Sequence, residues 1–230
     1  MTNYNVNLEK KEVHRGIIGV ETALIMIASV MISAALLYVV FNTGFSTVQK
    51  TKNFISAGVI ESRSSLAISG ALVGVASVGE NKLNVTAIPI KVAISGGESI
   101  NLNTENAAVR YINQDIEHGD IYTHTIVDGI YSNLQDAMQK AVSDGLLQKN
   151  PINQTAATEN TQAILFFTIN RNNNFLIDSG EHAFMVIIFK DFERPSSLET
   201  IVTEIVLSTG TTLTVERTIP NLTSKIVDFS

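Results

Sequence analysis

Cysteine and tryptophan are both missing from this chain of 230 residues. Without cysteine there is no disulfide framework, no thiolate nucleophile, no iron–sulfur cluster and no zinc site built on thiolates. A missing framework suits a reducing compartment, although a secreted domain with a large enough core needs no staples. Positive charge is scarce too: 16 Lys and Arg stand against 22 Asp and Glu, a net charge of −6. That balance lacks the basic footprint with which a protein displaces counterions from nucleic-acid phosphates. Catalytic signatures are absent as well. The sequence has no phosphate loop, no HExxH and no nucleophile elbow, and Gly70, Gly74 and Gly79 lack the dinucleotide spacing. Charged residues make up only 17% of the chain against 45% hydrophobic, so the distribution of the apolar residues carries the information.

They are concentrated at one end. No charged residue occurs from Thr22 to Gln49, and Thr22–Phe41 (TALIMIASVMISAALLYVVF) is apolar almost throughout. At 1.5 Å per residue, twenty helical residues cross the bilayer core of roughly 30 Å. A core helix of a soluble domain keeps one polar face, and this segment has none. Ala23, Ala28, Ser29, Ser33, Ala34 and Ala35 are scattered through it, and small residues let helix backbones approach closely in an apolar medium. Beyond Asn42 and Gly44, apolar residues recur at helical spacing (Val48, Phe54, Ile55, Val59, Ile60) among Lys50, Lys52, Glu61 and Arg63. This pattern predicts one helix over residues 17–69, apolar all round in its first half and amphipathic in its second, with a local bend near Gly44.

Ahead of the apolar run lies a polar segment, Met1–Gly16, holding Lys10, Lys11 and Arg15. Those cations keep it on the cytoplasmic side and leave residues 42–230 outside. The apolar stretch is too long for an ordinary secretory signal, and no small-residue cleavage site follows it. Instead Arg15-Gly16 directly precedes it, in HRGIIGVETALIM.

A basic leader ending in Arg-Gly, followed by an apolar helix with Glu at its fifth position, resembles the class III signal of type IV pilin-like proteins. Within that superfamily, IIGVETALIMIASVMISAALLYVVFNTGF is most similar to archaeal flagellins (archaellins). The resemblance is specific over about residues 10–60. It implies that a membrane aspartyl peptidase cuts between Gly16 and Ile17, making Glu21 mature position five. The remaining 214 residues would carry a charge of −7. An assembly ATPase and a polytopic platform protein are implied as further partners, with copies of the chain itself and related archaellins in the polymer. Glu21 is costly inside an apolar helix, by about 2.5–3.5 kcal/mol unless paired, and the freed Ile17 amine is a cation that can pair with it. Snorkelling to the interface, or favourable electrostatics at the helix N-terminus, is the plainer account of Glu21.

From Gly70 the hydrophobic period shifts toward 2. Ile88, Ile90, Val92 and Ile94 alternate with Pro89, Lys91, Ala93 and Ser95, while 162–169 and 181–190 are apolar on both faces. Ile201, Ile205 and Leu207 face Leu213 and Val215 across a turn as a closing hairpin. The fold expected is α+β: the long apolar helix, then an antiparallel, Ig-like β-sandwich head over residues 70–230. A short amphipathic helix near 132–145 interrupts it, with Ser132-Asn-Leu-Gln135 as a capping box.

Three groups in the head are candidate sites. Asn84-Val-Thr, Asn153-Gln-Thr and Asn221-Leu-Thr are sequons, hence glycan acceptors if exposed outside the cell. Asn170, Asn172, Asn174, Asp178 and Glu181 follow the spacing of a calcium loop, but Phe175 sits where its glycine belongs. Any Ca2+ there is weakly held, and no other cofactor is expected; the plain alternative is an Asn-rich strand connection. Asp115, Glu117, His118, Asp120 and His124 read as a solvated hairpin tip without metal-ligand spacing. The whole describes a structural subunit of an extracellular filament rather than an enzyme. An adhesion pilin or a singly anchored surface binding protein is the alternative.

Overall fold

The computed structural model describes the backbone of residues 6–155 and 157–229, and their side chains apart from those of 6–18 and 60–62. Its first element is a single helix, α1 (Val6–Arg63), which runs through Gly44 without a break. At 1.5 Å per residue its 58 residues extend about 85 Å. Contacts divide the chain into Met1–Ala57 and Gly58–Ser230.

The helix stops short of the expected 69. Leu66–Ile68 instead forms β1, pairing antiparallel with Val92, Lys91 and Ile90. Two further bonds, Ala93 N–H to Ser65 O and Ser69 N–H to Pro89 O, extend the ladder. A ready strand partner outweighs the weak helical preference of three residues, so the head begins earlier than residue 70.

The remaining strands are β2 (Val73–Ser77), β3 (Lys82–Val92), β4 (Ile100–Asn101), β5 (Ala108–Ile112), β6 (Glu117–His118) and β7 (Tyr122–Ile130). Helix α2 (Leu134–Ser143) follows, then β8 (Gln162–Ile169), β9 (Leu176–Ile177), β10 (His182–Ile188), β11 (Thr200–Val206), β12 (Thr212–Thr218) and β13 (Ile226–Asp228). A seven-stranded sheet has the order β13-β2-β3-β10-β8-β7, with β1 added on β3. A second sheet is β12-β11-β5-β6, and β4 pairs with β9 alone. The expected hairpin forms as β11–β12, with Val206 opposite Thr212.

The larger sheet is not wholly antiparallel. Strand β7 runs parallel to β8, because α2 and the segment behind it carry the chain back along the sheet before β8 begins. Parallel neighbours need such a crossover. This excursion also decides burial. Leu165, Phe167, Met185 and Ile187 pack toward the second sheet's Val109, Tyr111, Ile201 and Ile205. On the opposite face Val85, Ile164, Phe166, Val186 and Ile188 pack against Ala137, Met138 and Ala141 of α2. Strand β3 is therefore buried on both faces from Leu83 to Ile90, where simple alternation suggested one wet face. The α2 cap is Asn133, one residue later than the expected Ser132. Its Oδ1 accepts from the Asp136 N–H at 2.8 Å, and its extended backbone (φ −144°) suits a cap.

Candidate functional site

The surface of α1 sets the chemistry of its unit. Every side chain from Gly19 to Ala57 is exposed, and eighteen large apolar ones from Val20 to Ile55 are among them. Full burial of each is worth roughly 1.5–3 kcal/mol, about 25–55 kcal/mol for the set as an upper bound. A surface of this extent marks an interface with lipid or protein. Four of its hydroxyls make no demand on a neighbour. Ser29 donates to Met26 O, Ser33 to Ser29 O, Thr43 to Val39 O and Thr47 to Thr43 O, all at 2.8–2.9 Å. These four polar groups are satisfied within the helix and can face an apolar medium. Glu21 is the single charge between Gly19 and Gln49, and it is exposed. Lys10, Lys11, Arg15, Gly16 and Ile17 belong to the backbone of α1, but their side chains lie outside the described residues.

The sequons separate by burial. Asn84, within β3, is only 6% exposed. Its Oδ1 accepts from Arg194 Nη1 at 3.1 Å and its amide donates to Pro151 O at 3.3 Å. It cannot take a glycan in the folded head, because strand β3 begins before it and both faces of that strand are covered. Asn153 and Asn221 are exposed, with Asn153 Oδ1 accepting from Lys225 Nζ at 3.1 Å.

The Asn-rich connection between β8 and β10 spends its oxygens on its own backbone. Asn170, Asn172 and Asn174 accept from the N–H groups of Asn173, Asn174 and Leu176 at 2.8, 3.2 and 2.8 Å. Glu181, 1% exposed, accepts from Arg171 N–H at 2.6 Å and Asp178 N–H at 3.1 Å. Asp178 Oδ2 takes the Asn172 amide, while its buried Oδ1 has no hydrogen bond. The spacing thus produces a series of side-chain-closed turns. Among the described residues no group of three or more His, Asp or Glu is arranged to hold a metal.

The second acidic cluster also disperses. Asp120 Oδ1 accepts from Val109 and Tyr122 N–H groups, Glu117 pairs with Arg110, and the His124 ring lies against Tyr122 at 4.9 Å. His118 Nε2 reaches Glu193 Oε2 at 3.0 Å. Desolvation pushes the Glu193 carboxyl up, but hydrogen bonds from Thr161 and His118 outweigh it and hold the group below its ordinary range. Burial pushes the Tyr111 and Tyr122 hydroxyls up.

Sequence reasoning passed over Arg194, which is 8% exposed. It bonds Glu80, Asn84 and the Asp191 carbonyl. Its partners lie more than a hundred residues away along the chain or in its own turn, so no local pattern announces it.

A long helix, apolar and exposed from Gly19 to Ala57, joined to a two-sheet head defines a polymer-forming or membrane-held structural protein. The pattern of the archaeal-type flagellin family matches residues 16–217, and the chain belongs to that family. It is 29% identical over 207 residues to probable flagellin 1 of Aeropyrum pernix, covering 90% of this chain and 92% of that one. A probable flagellin 1 of Archaeoglobus fulgidus is 30% identical over 89 residues, 39% of this chain and 43% of its own. The fold is also that of the archaeal flagellum of Methanospirillum hungatei strain JF1, with a TM-score of 0.56 at 20% identity over 92% of this chain and 99% of the other. Crystalline flagellin FlaB1 of Methanocaldococcus jannaschii aligns with a TM-score of 0.54 at 14% identity, over 71% of this chain and 95% of its own. The chain is accordingly a structural subunit of a self-polymerised filament at the cell surface, not an enzyme.

Proposed function

We propose that this chain builds the archaeal motility filament, through a membrane precursor cut between Gly16 and Ile17. The observation that carries this reading is α1: uncharged from Thr22 to Gln49, exposed on every side from Gly19 to Ala57, and carrying Lys10, Lys11 and Arg15 in its first turns. In the precursor the helix spans the cytoplasmic membrane with the cations inside. A leader peptidase then frees the Ile17 amine. An assembly ATPase and a membrane platform protein move the helix from lipid into a bundle of identical helices, where packing of small residues replaces lipid contacts. Glu21 pairs with the Ile17 amine of an arriving subunit, which offsets the cost of an isolated carboxylate in apolar surroundings.

The heads form the wetted exterior, with 11 Lys and Arg against 19 Asp and Glu in Gly58–Ser230, net −8. Such charge favours solubility, and glycans at Asn153 and Asn221 add to it. The Asn170–Glu181 loop closes on its own hydrogen bonds and holds at most weakly bound Ca2+.

N-terminal sequencing of sheared surface fibres tests the core of this reading. The sequence expected begins IIGVETAL; a start at Met1 would point to a singly anchored surface protein instead. A deletion strain that still swims but no longer attaches to surfaces would assign the fibre to adhesion.

A further inference from the structure

The segment between β10 and β11 carries two apolar side chains that stand in water. Phe192 is 88% exposed, more than any other large apolar side chain described, and Leu198 is 67% exposed. Leu198 also has φ +69°, a left-handed conformation that side chains with a Cβ disfavour. Strain of this kind persists only where the surroundings enforce it. Here Leu198 N–H donates to Ile219 O at 2.8 Å and Leu83 N–H donates to Pro195 O at 2.9 Å. Arg194, buried beside Pro195 in the same segment, donates to Asn84 Oδ1 and the Asp191 carbonyl at 3.1 Å each. The backbone that presents the two apolar side chains is therefore anchored to the head, and the side chains themselves stand in water.

Elsewhere on the same head lies a groove of about 410 Å³ between the first turn of α2 and the β2–β13 edge. Val73, Val75, Leu134, Ile152 and Ile226 supply its apolar lining, and Lys225 stands at its rim. The groove has room for a phenylalanine ring and a leucine side chain together. It lies on the α2-covered side of the sheet, whereas Phe192 and Leu198 project from loops beside the β2–β3 turn.

We infer that Phe192 and Leu198 of one head seat in this groove on the head of a second copy, forming a head-to-head contact that repeats along the filament. This rests on the reading of the chain as a filament subunit. Packed helices lie 8–10 Å apart, while a head of this size is about 40 Å across, so polymerising through α1 forces heads against one another. A projection and a groove at different places make a heterologous contact, the kind that propagates into helical polymers. The charges lean the same way: three carboxylates, Glu80, Asp191 and Glu193, gather at the turn that carries Phe192, against the Arg194 guanidinium, which pairs with the first two, and the neighbouring Lys190. The Lys225 ammonium bonds the Asn153 amide oxygen and no carboxylate among the described residues. Asp136, at the other rim, is held by the Asn133 amide at 2.9 Å.

The absence of native cysteine makes a direct test available. Filaments of the full chain carrying Phe192→Cys and Ile226→Cys are oxidised mildly and run on a non-reducing gel. A ladder of dimers, trimers and longer species is expected, and each single variant should give none. Intact filaments of the double variant that yield only monomer overturn the contact. If the double variant does not assemble, filaments mixing the two single variants with the unsubstituted chain serve instead, with dimers as the supporting result and monomer as the opposing one. Leu198→Gly removes the side chain and relieves the backbone, so the dispersed chain should melt no lower. Its filaments should dissolve in denaturant roughly tenfold faster, and an unchanged rate counts against the proposal. Failure of the unsubstituted chain to form filaments sinks the filament reading itself, an outcome separate from these.

Discussion

Glu193 joins three parts of the head at one carboxylate, accepting from Thr161 and contacting His118 while its own turn is held by Arg194. Its carboxyl is held below the ordinary range. The stability it contributes is therefore present above the unfolded carboxylate pKa and is lost as pH falls through the lower folded value. Glu193→Gln should cost about 1–2 kcal/mol at pH 7, and the difference should shrink as pH falls from 7 through the lowered folded-state titration of the carboxyl. Melting temperatures of the two chains across that range would check the sign. The Asn170–Glu181 loop supports a second residue-scale expectation. Because Glu181 already accepts two backbone N–H groups, a chelator should leave the melting temperature of the head unchanged. A clear rise on adding Ca2+ would show that Asp178 Oδ1 has found the cation its geometry lacks.

At the scale of elements, α2 is a cover as much as a helix. Its Ala137, Met138 and Ala141 are fully buried against Val85, Ile164, Phe166 and Val186. Met138→Ala leaves a cavity in that layer and should destabilise the head by about 2–4 kcal/mol, read as a fall in the denaturant midpoint without a change in slope. The same layer explains why runs such as QAILFFTI (162–169) carry no polar face. Both faces of β8 were legible as apolar from the residues alone. What lies over each face was not, because the partners Met138 and Ile205 stand far from β8 in the chain. The end of α1 is not legible in the sequence for a similar reason. Residues 64–68 continue a helical rhythm, and only the presence of Val92 and Ile90 alongside turns Leu66–Ile68 into a strand.

For the molecule as a whole, two solvents are written into one chain. Met1–Ala57 has no buried side chain among those described, and Gly58–Ser230 has two dense apolar layers of its own. A chain beginning at Gly58 should therefore fold as a soluble monomer that melts cooperatively, as sedimentation and calorimetry can establish. The full chain, by contrast, should sediment as filaments or require detergent. Ile32→Lys places an unpaired charge in the middle of α1, at a cost of about 3 kcal/mol on insertion scales. It should abolish fibres on the cell surface while leaving the melting of the head unchanged, which electron microscopy and calorimetry together would show.

By itself the sequence determined the apolar helix, the lone Glu21 within its uncharged run, the family and the two-faced strands. Each of these depends on composition and near-neighbour spacing, which the chain displays directly. Only the tertiary structure decided which sequons face water, where α1 stops, that β7 and β8 run parallel, and that Arg194 is buried while Phe192 and Leu198 stand in the open. Those outcomes turn on contacts between residues remote in sequence, where burial and pairing override local preference.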